Sequence, residues 1–178
     1  MRRLLVLLAF LFVARAAEAT VLVPVDLGEL SRDARAIIRG RVMAVGTQWT
    51  DDRRTIETIV TLEVETSLKG QLGSVVRFRV PGGLLGRYRS VVVGAPQFSV
   101  GQRVIVFLGA SGPMVPYVLG LNQGVYRLAL TPAGAWMVTP PPILPSATGP
   151  IVRGAAGRRP TPLADFEQDV RALAGATR

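Results

Sequence analysis

The clearest pattern of hydrophobic and polar positions along the chain is an alternation with a period of two between residues 56 and 65. The even positions are Ile56, Thr58, Val60, Leu62 and Val64, and the odd positions include Glu57, Thr61, Glu63 and Glu65. Such alternation is typical of a strand that has one face in a core and the other in water. The segment therefore predicts a long strand whose glutamate face is mostly solvated.

Shorter apolar runs, divided by glycine and proline, surround this strand. They predict further strands at residues 36–45, 75–80, 88–93, 104–108, 125–130 and 135–138. Gly40, inside the first of these runs, indicates a bulge or a close approach of another backbone. Many short strands with such punctuation are typical of an all-β barrel or sandwich. We predict a small barrel, closed or partly open, over residues 20–139.

Helical patterns are confined to the two ends of the chain. Residues 26–34 predict a short helical turn, and the proline- and glycine-rich residues 140–160 predict an extended segment. Thr161 is a candidate N-cap with Pro162 at the first helical position. The apolar face of this C-terminal helix, within residues 161–178, comprises Leu163, Phe166, Val170 and Leu173. We expect the helix to dock on the barrel; the alternative is that it recruits another protein.

The first nineteen residues have the pattern of a secretory signal peptide. Two arginines precede an unbroken apolar run at residues 4–13, and Ala17-Glu18-Ala19 supplies a small-x-small cleavage motif. The run is too short to span a bilayer core of about 30 Å. We predict cleavage after Ala19 and a secreted or periplasmic mature chain without a membrane span; cleavage after Ala16, or a short uncleaved anchor, is the alternative.

Composition narrows the classes of function. The chain contains no cysteine and no histidine, so disulfides are excluded and the commonest general base and zinc ligands are missing. The net charge of +9 falls to +7 because three arginines and one glutamate leave with the predicted signal peptide. The cations are not interleaved with aromatic side chains as in single-strand binding platforms. No nucleic-acid partner, metal or cofactor is predicted.

Two polar pairs could be proposed as reactive sites. Asp51-Asp52 could contribute to a calcium site, but the adjacent pair Arg53-Arg54 would repel a cation, so a hairpin tip is the better interpretation. Ser67 and Lys69 could form a serine-lysine dyad, in which a desolvated lysine acts as the base. Because Lys69 precedes Gly70 in a predicted turn, we expect its ammonium to be solvated instead.

Glu63 and Glu65 lie about 7 Å apart on one face of the predicted strand and could be a carboxylate pair for glycosidic cleavage. Both should be exposed, and neither should have the raised pKa that a general acid needs. If the chain returns antiparallel, Glu65 lies opposite Arg77 and Glu63 opposite Arg79, where opposite charges fix register. We therefore predict no catalytic residue.

The candidate binding residues are four arginines around the segment VPGGLLGRYRS at residues 80–90. They are Arg77, Arg79, Arg87 and Arg89. A five-residue loop would place Arg79 beside Arg87 and Arg77 beside Arg89, and this face would need the glutamates, an anion or an acidic partner to neutralise it. A register shifted by one residue would send the two pairs to opposite faces. A phosphate loop is disfavoured because a β-branched run, rather than a helix, follows the glycines.

Three segments in order, ARAIIRGRV, TIVTLEVETSLKG and GAPQFSVGQRVIVFL, give the chain a resemblance to a known superfamily. The chain resembles the netrin-module or TIMP-like version of the oligonucleotide/oligosaccharide-binding (OB) barrel over about residues 30–130, and also uncharacterised secreted bacterial proteins with this order of segments. In the metalloproteinase inhibitors the resemblance would imply an N-terminus presented to a protease metal. That position is Thr20 here, and the cysteine that the family uses is absent.

These observations predict a secreted, non-catalytic binding or interaction module with a secreted or envelope protein as a possible partner. The alternative is a regulator or inhibitor of a secreted protease, which would act through Thr20. An enzyme would need a catalytic constellation that the sequence does not contain.

Overall fold

The computed structural model describes residues 25–110, 115–141 and 159–175. Its helices are α1 (Leu27–Asp33), a 3-10 turn (Leu121–Gly124) and α2 (Leu163–Gly175). Its strands are β1 (Ala36–Trp49), β2 (Ile56–Lys69), β3 (Val75–Pro81), β4 (Gly83–Leu85), β5 (Tyr88–Ser90), β6 (Arg103–Gly109), β7 (Tyr117–Val118), β8 (Val125–Leu130), β9 (Trp136–Thr139) and β10 (Thr161–Pro162). The predicted signal peptide, Thr20 and most of the proline-rich segment lie outside the described residues.

Five strands close into a barrel in the order β1-β2-β3-β7-β6, and β6 pairs with β1 to complete the ring. All pairings in the ring are antiparallel except that of β3 with β7. The ring closes through the short strand β7, which pairs with β3 at one position, Arg79 with Tyr117. The predicted small all-β barrel of OB-like type, with one short helix near each end of the chain, is confirmed.

Strand β1 must bend sharply because it pairs with β2 over its whole length and with β6 only through residues 36–41. Three register shifts along the β1–β2 ladder provide this bend, and one of them falls between Arg39 and Gly40. A Cβ built on Gly40 would overlap the carbonyl oxygen of Glu63 and lie 2.9 Å from Leu62 Cγ. The predicted bulge or close approach at Gly40 is therefore confirmed.

Two hydrophobic cores lie on opposite sides of the barrel wall. The inner core fills the barrel and includes Val42, Val60, Leu62, Val76 and Phe78, all fully or almost fully buried. The outer core joins the barrel to both helices and includes Leu30, Ile37, Phe107, Tyr126, Phe166 and Val170. Strands β1 and β6 contribute to both cores, which accounts for the continuous apolar run of β6.

The C-terminal helix α2 packs on the outside of the barrel through the apolar face that its sequence predicts. The Phe166 ring lies 4.8 Å from that of Tyr126, which in turn lies 5.5 Å from that of Phe107. The helix begins at Leu163 rather than at Pro162, because Thr161 and Pro162 pair with β9 and end the sheet as β10. Within the described residues, no helix has the length and apolar character needed to cross a membrane.

The predicted pairing of the two glutamates with the β3 arginines is wrong by four residues. Glu63 lies opposite Val75, and Arg77 lies opposite Thr61. The reason is that the last third of β2 pairs only with β1, so the ladder with β3 ends at Glu63 instead of running to the turn at Gly70. The predicted faces are nevertheless right, because a shift by an even number of residues leaves each side chain on the same side of the sheet.

Candidate ligand-binding groove at the mouth of the barrel

The four predicted arginines do not form one face. The hairpin of β4 and β5 is a separate two-stranded sheet, in which Arg89 lies opposite Leu84. Neither predicted alignment of Arg77 and Arg79 with Arg87 and Arg89 occurs, because β7 occupies the edge of β3 that β5 would need. The last part of the predicted strand at residues 88–93 is exposed chain after β5.

Two of the four arginines have structural partners. Arg79 is half-buried, with its Nη1 3.8 Å from Glu57 Oε2 and its Nε donating to the carbonyl oxygen of Val115 at 3.1 Å. The Arg87 guanidinium lies over the Tyr88 ring, 5.2 Å from its centroid, and its Nη2 donates to the Tyr88 hydroxyl at 3.1 Å. These contacts brace the sheet and the tip of the hairpin.

Arg77 and Arg89 are the two arginines of the four that are exposed and have no hydrogen bond or ion pair in the described part of the chain. Arg77 is exposed on β3 and is not among the described residues that line the groove beside the β4–β5 hairpin. Arg89 does line this groove, which lies between the hairpin and the open end of the barrel. Of the four predicted arginines, Arg89 lines this groove and the other three are not among its described lining residues, and Thr20 lies outside the described residues.

Hydroxyl groups on the long β1–β2 ribbon hold the hairpin over the mouth of the barrel. Thr47 Oγ1 donates to the Leu84 carbonyl oxygen, and Thr58 Oγ1 donates to the Gly82 carbonyl oxygen, both at 2.7 Å. A Cβ on Gly83 would lie 2.8 Å from atoms of both threonines. In the segment VPGGLLGRYRS, the absence of a side chain at Gly83 thus permits the hairpin to pack closely on the ribbon, in addition to any role of the glycines in the turn.

The opposite wall of the groove is the segment at residues 95–98, which also seals the barrel. The Phe98 ring meets that of Phe78 edge to face, with centroids 5.4 Å apart. Arg127 Nη2 donates to the Gln97 carbonyl oxygen at 3.2 Å, and burial lowers the pKa of the Arg127 guanidinium from its ordinary value. Because Phe98 closes the inner core, the groove lies outside the barrel interior and is open to solvent.

The groove has a volume of about 490 Å³, within the range of small-ligand sites. Its floor is formed by the inward faces of the strand ends, at Val45, Thr47, Thr58 and Val80. Among its described lining residues there is one cation, Arg89, and no carboxylate. Both threonine hydroxyls already donate to carbonyl oxygens, so neither is poised as a nucleophile. The groove therefore provides concave space and one guanidinium for binding a ligand.

The remaining acidic candidates are accounted for by ion pairs. Glu63 Oε2 lies 3.0 Å from Arg41 Nη2, and Glu65 Oε1 lies 2.7 Å from Arg103 Nε. At the β1–β2 turn, hydrogen bonds from the Thr50 hydroxyl and the Arg54 backbone N–H hold the pKa of Asp52 below its ordinary value. This turn is the predicted hairpin tip, and no group of metal-ligating side chains occurs in the described ranges.

Two buried glutamates were not predicted. Glu57 lies on the face expected to be solvated, yet it is buried and accepts a hydrogen bond from Gln48 Nε2 at 2.9 Å. Glu167 of α2 is buried against β1, where Arg39 Nη1 donates to its Oε1 at 2.6 Å. Neither glutamate differs in its local sequence from an exposed one, so their burial has no signal in the chain near them.

The prediction that the Lys69 ammonium is solvated is wrong. Its Nζ donates to the carbonyl oxygens of Ser31 at 2.9 Å and Arg32 at 2.8 Å. These carbonyls belong to the last turn of α1, whose acceptors lack partners within the helix. A positive charge at a helix C-terminus is also favoured by the helix dipole. Lys69 therefore caps α1, and its ammonium is directed at the helix rather than at Ser67.

We expect Lys69→Met to lower the free energy of unfolding by about 1 to 2 kcal/mol, because two charge-assisted hydrogen bonds are lost while the aliphatic stem remains. Denaturant unfolding of the purified domain measures the change. Ser67→Ala, at an exposed position on the same strand, should change stability by less than about 0.5 kcal/mol. Equal losses in the two variants would contradict the capping role.

Comparison of the chain with protein-family models, with curated proteins and with solved structures found no match. The resemblance to the netrin-module and TIMP-like barrels therefore stays a prediction beyond the OB-like strand order itself. Protease inhibition also stays a prediction, because it depends on Thr20, which the structure does not describe. The groove, with its hairpin wall and its single cation, is the feature on which a function can be argued.

Proposed function

We propose that the chain is a secreted, non-catalytic binding module that holds its ligand in the groove at the mouth of the barrel. The observation that carries this proposal is the groove itself, a concave surface of about 490 Å³ between the β4–β5 hairpin and the segment at residues 95–98. Apolar side chains and a few polar groups line it, as in most sites for small ligands or peptide segments.

Contacts within the protein hold both walls of the groove. Hydrogen bonds from Thr47 and Thr58 fix the hairpin wall, and the contact between Phe98 and Phe78 fixes the opposite wall. Asn122 N also donates to the Gly94 carbonyl oxygen at 2.9 Å, next to that wall. A preformed site binds with a smaller loss of conformational entropy than one that must be ordered by its ligand. Rigid walls on a closed barrel therefore favour binding as the function of this surface.

A neutral fluorescent probe, N-phenyl-1-naphthylamine, tests whether the groove binds ligands. We expect saturable fluorescence enhancement with the wild-type domain and its loss in Val45→Trp, because Val45 is on the floor of the groove and is 38% exposed. An indole at that position would occupy the space that the probe needs. Fluorescence titration and the dissociation constants of the two proteins give the result.

The matched control is Met43→Trp, which places the same indole on the same strand at a residue that is 46% exposed and outside the groove lining. It should bind the probe as the wild type does. Absence of saturable binding, or equal binding by Val45→Trp and the wild type, would show that the groove is not a ligand site.

A further inference from the structure

We propose that the ligand of the groove is an extended peptide segment that combines apolar side chains with one acidic side chain, whose carboxylate binds Arg89. This inference rests on the proposed function and specifies the chemistry of the ligand. It is carried by three properties of the groove, namely its charge, its exposed apolar surface and its unpaired polar groups.

The charge of the groove is uncompensated. In the described ranges, six other arginines have a carboxylate within 4.0 Å, namely Arg39, Arg41, Arg54, Arg79, Arg103 and Arg171. Arg89 has no such partner among the described residues, and no acidic side chain lines the groove with it. A cation in a concave, partly apolar site attracts anions more strongly than one on a flat surface. The guanidinium also matches the geometry of a carboxylate, which it can bind through two parallel hydrogen bonds.

The apolar surface beside Arg89 is unusually open to water. Leu84 is 62% exposed, Val91 is 70% exposed and Val92 is 37% exposed, and all three line the groove. Leu84 and Arg89 lie directly opposite each other on the hairpin, so their side chains project from the same side of it. Contiguous exposed apolar side chains commonly mark an interaction surface. A ligand that covers them must carry apolar groups within a few ångströms of its carboxylate.

Polar groups along the groove favour a peptide over a fatty acid. The Ser90 and Gln97 side chains line the groove without hydrogen bonds in the described part of the chain. The Thr47 and Thr58 oxygens donate their protons to the hairpin but keep free lone pairs. A peptide backbone supplies both N–H donors and carbonyl acceptors for these groups, whereas a hydrocarbon tail would leave them buried without partners.

Selection from a phage-displayed library of random heptapeptides tests the inference. Peptides are selected on the wild-type domain, with peptides that also bind Val45→Trp removed. We expect the enriched sequences to carry aspartate or glutamate beside aliphatic or aromatic residues. A synthetic peptide of the leading sequence, and its twin with the acid replaced by the matching amide, are then titrated against the wild type, Arg89→Gln and Arg77→Gln.

Arg89→Gln should weaken binding of the acidic peptide by about tenfold and leave binding of the amide twin unchanged, as expected for one charge-assisted contact. Arg77→Gln removes the same charge from an exposed site outside the groove and should have little effect. Enriched peptides without acids, or an acidic peptide that binds Arg89→Gln as tightly as the wild type, would overturn the inference. The inference would also be overturned if no peptides were enriched, or if dodecanoate displaced the fluorescent probe and the acidic peptide did not. The proposed function would survive each of these results if Val45→Trp still abolishes probe binding.

Discussion

Gly40→Ala is expected to lower the free energy of unfolding by roughly 3 kcal/mol, because the added methyl group would clash with the backbone of β2. The added Cβ would overlap the Glu63 carbonyl oxygen and lie 2.9 Å from Leu62 Cγ. A carbonyl in a β-ladder cannot move aside as a flexible side chain can, so β1 and β2 would have to separate at the bulge. Denaturant unfolding followed by circular dichroism measures the loss.

Gly46→Ala is the matched control for this prediction. Gly46 lies on the same strand, and a Cβ built there has no heavy atom within 4 Å. Alanine should be tolerated at that position, and the lower entropy of the unfolded chain could add up to about 1 kcal/mol of stability. If Gly40→Ala were as stable as Gly46→Ala, the close approach of the two backbones at Gly40 would be refuted.

Glu167→Ala is expected to lower the free energy of unfolding by about 3 kcal/mol, because it leaves the Arg39 guanidinium under α2 without its closest carboxylate. The pair is well shielded, with 11% of the Glu167 side chain and 21% of the Arg39 side chain exposed. Arg39 Nη2 would keep its bond to Thr66 Oγ1, and its Nε would stay 3.4 Å from Glu65 Oε2 but without a hydrogen bond, so the short charge-assisted bond to Glu167 is what the substitution removes. Alanine is a good helix former, so the loss reports on the ion pair rather than on helix propensity.

The same substitution at Asp169, an exposed residue of the same helix, provides the control. Asp169→Ala should change stability by no more than about 0.5 kcal/mol. Backbone hydrogen exchange adds a second measurement. The amides of α2 should exchange faster in Glu167→Ala than in the wild type, whereas the relative exchange rates of the β2 and β3 amides should stay the same. Equal unfolding free energies for the two variants would show that the ion pair does not fasten α2 to the barrel.

Much of the fold could be predicted because its signals are local. The alternation along β2 identified the inward side chains correctly, since the period of a strand is set by its own backbone. The glycine at position 40, inside an apolar run, indicated a bulge or a close approach of another backbone. The apolar face of the last helix indicated that this helix docks on the barrel. Each of these signals spans only a few residues.

The candidate site was predicted only in part. Arg89 was among the predicted residues, but so were Arg77 and Arg79, whose sequence surroundings look equally favourable. They differ in the structure because β7 covers the edge of β3, so that the β4–β5 hairpin folds over the mouth of the barrel instead. The threonines that hold this hairpin and the segment at residues 95–98 carried no signal of a site.

Propensity and periodicity were enough to predict the main strands, both helices and a small all-β barrel, because these signals depend on neighbouring residues. Composition alone shows that the chain has no histidine or cysteine. The register of β3 against β2, the burial of Glu167 and the position of Arg89 in a groove follow instead from tertiary contacts. Each depends on contacts between distant segments; Arg39 and Glu167 are separated by 128 positions. Whether a charged side chain is buried and paired depends on which distant segments pack around it, and the residues next to it in the sequence carry no information about that packing.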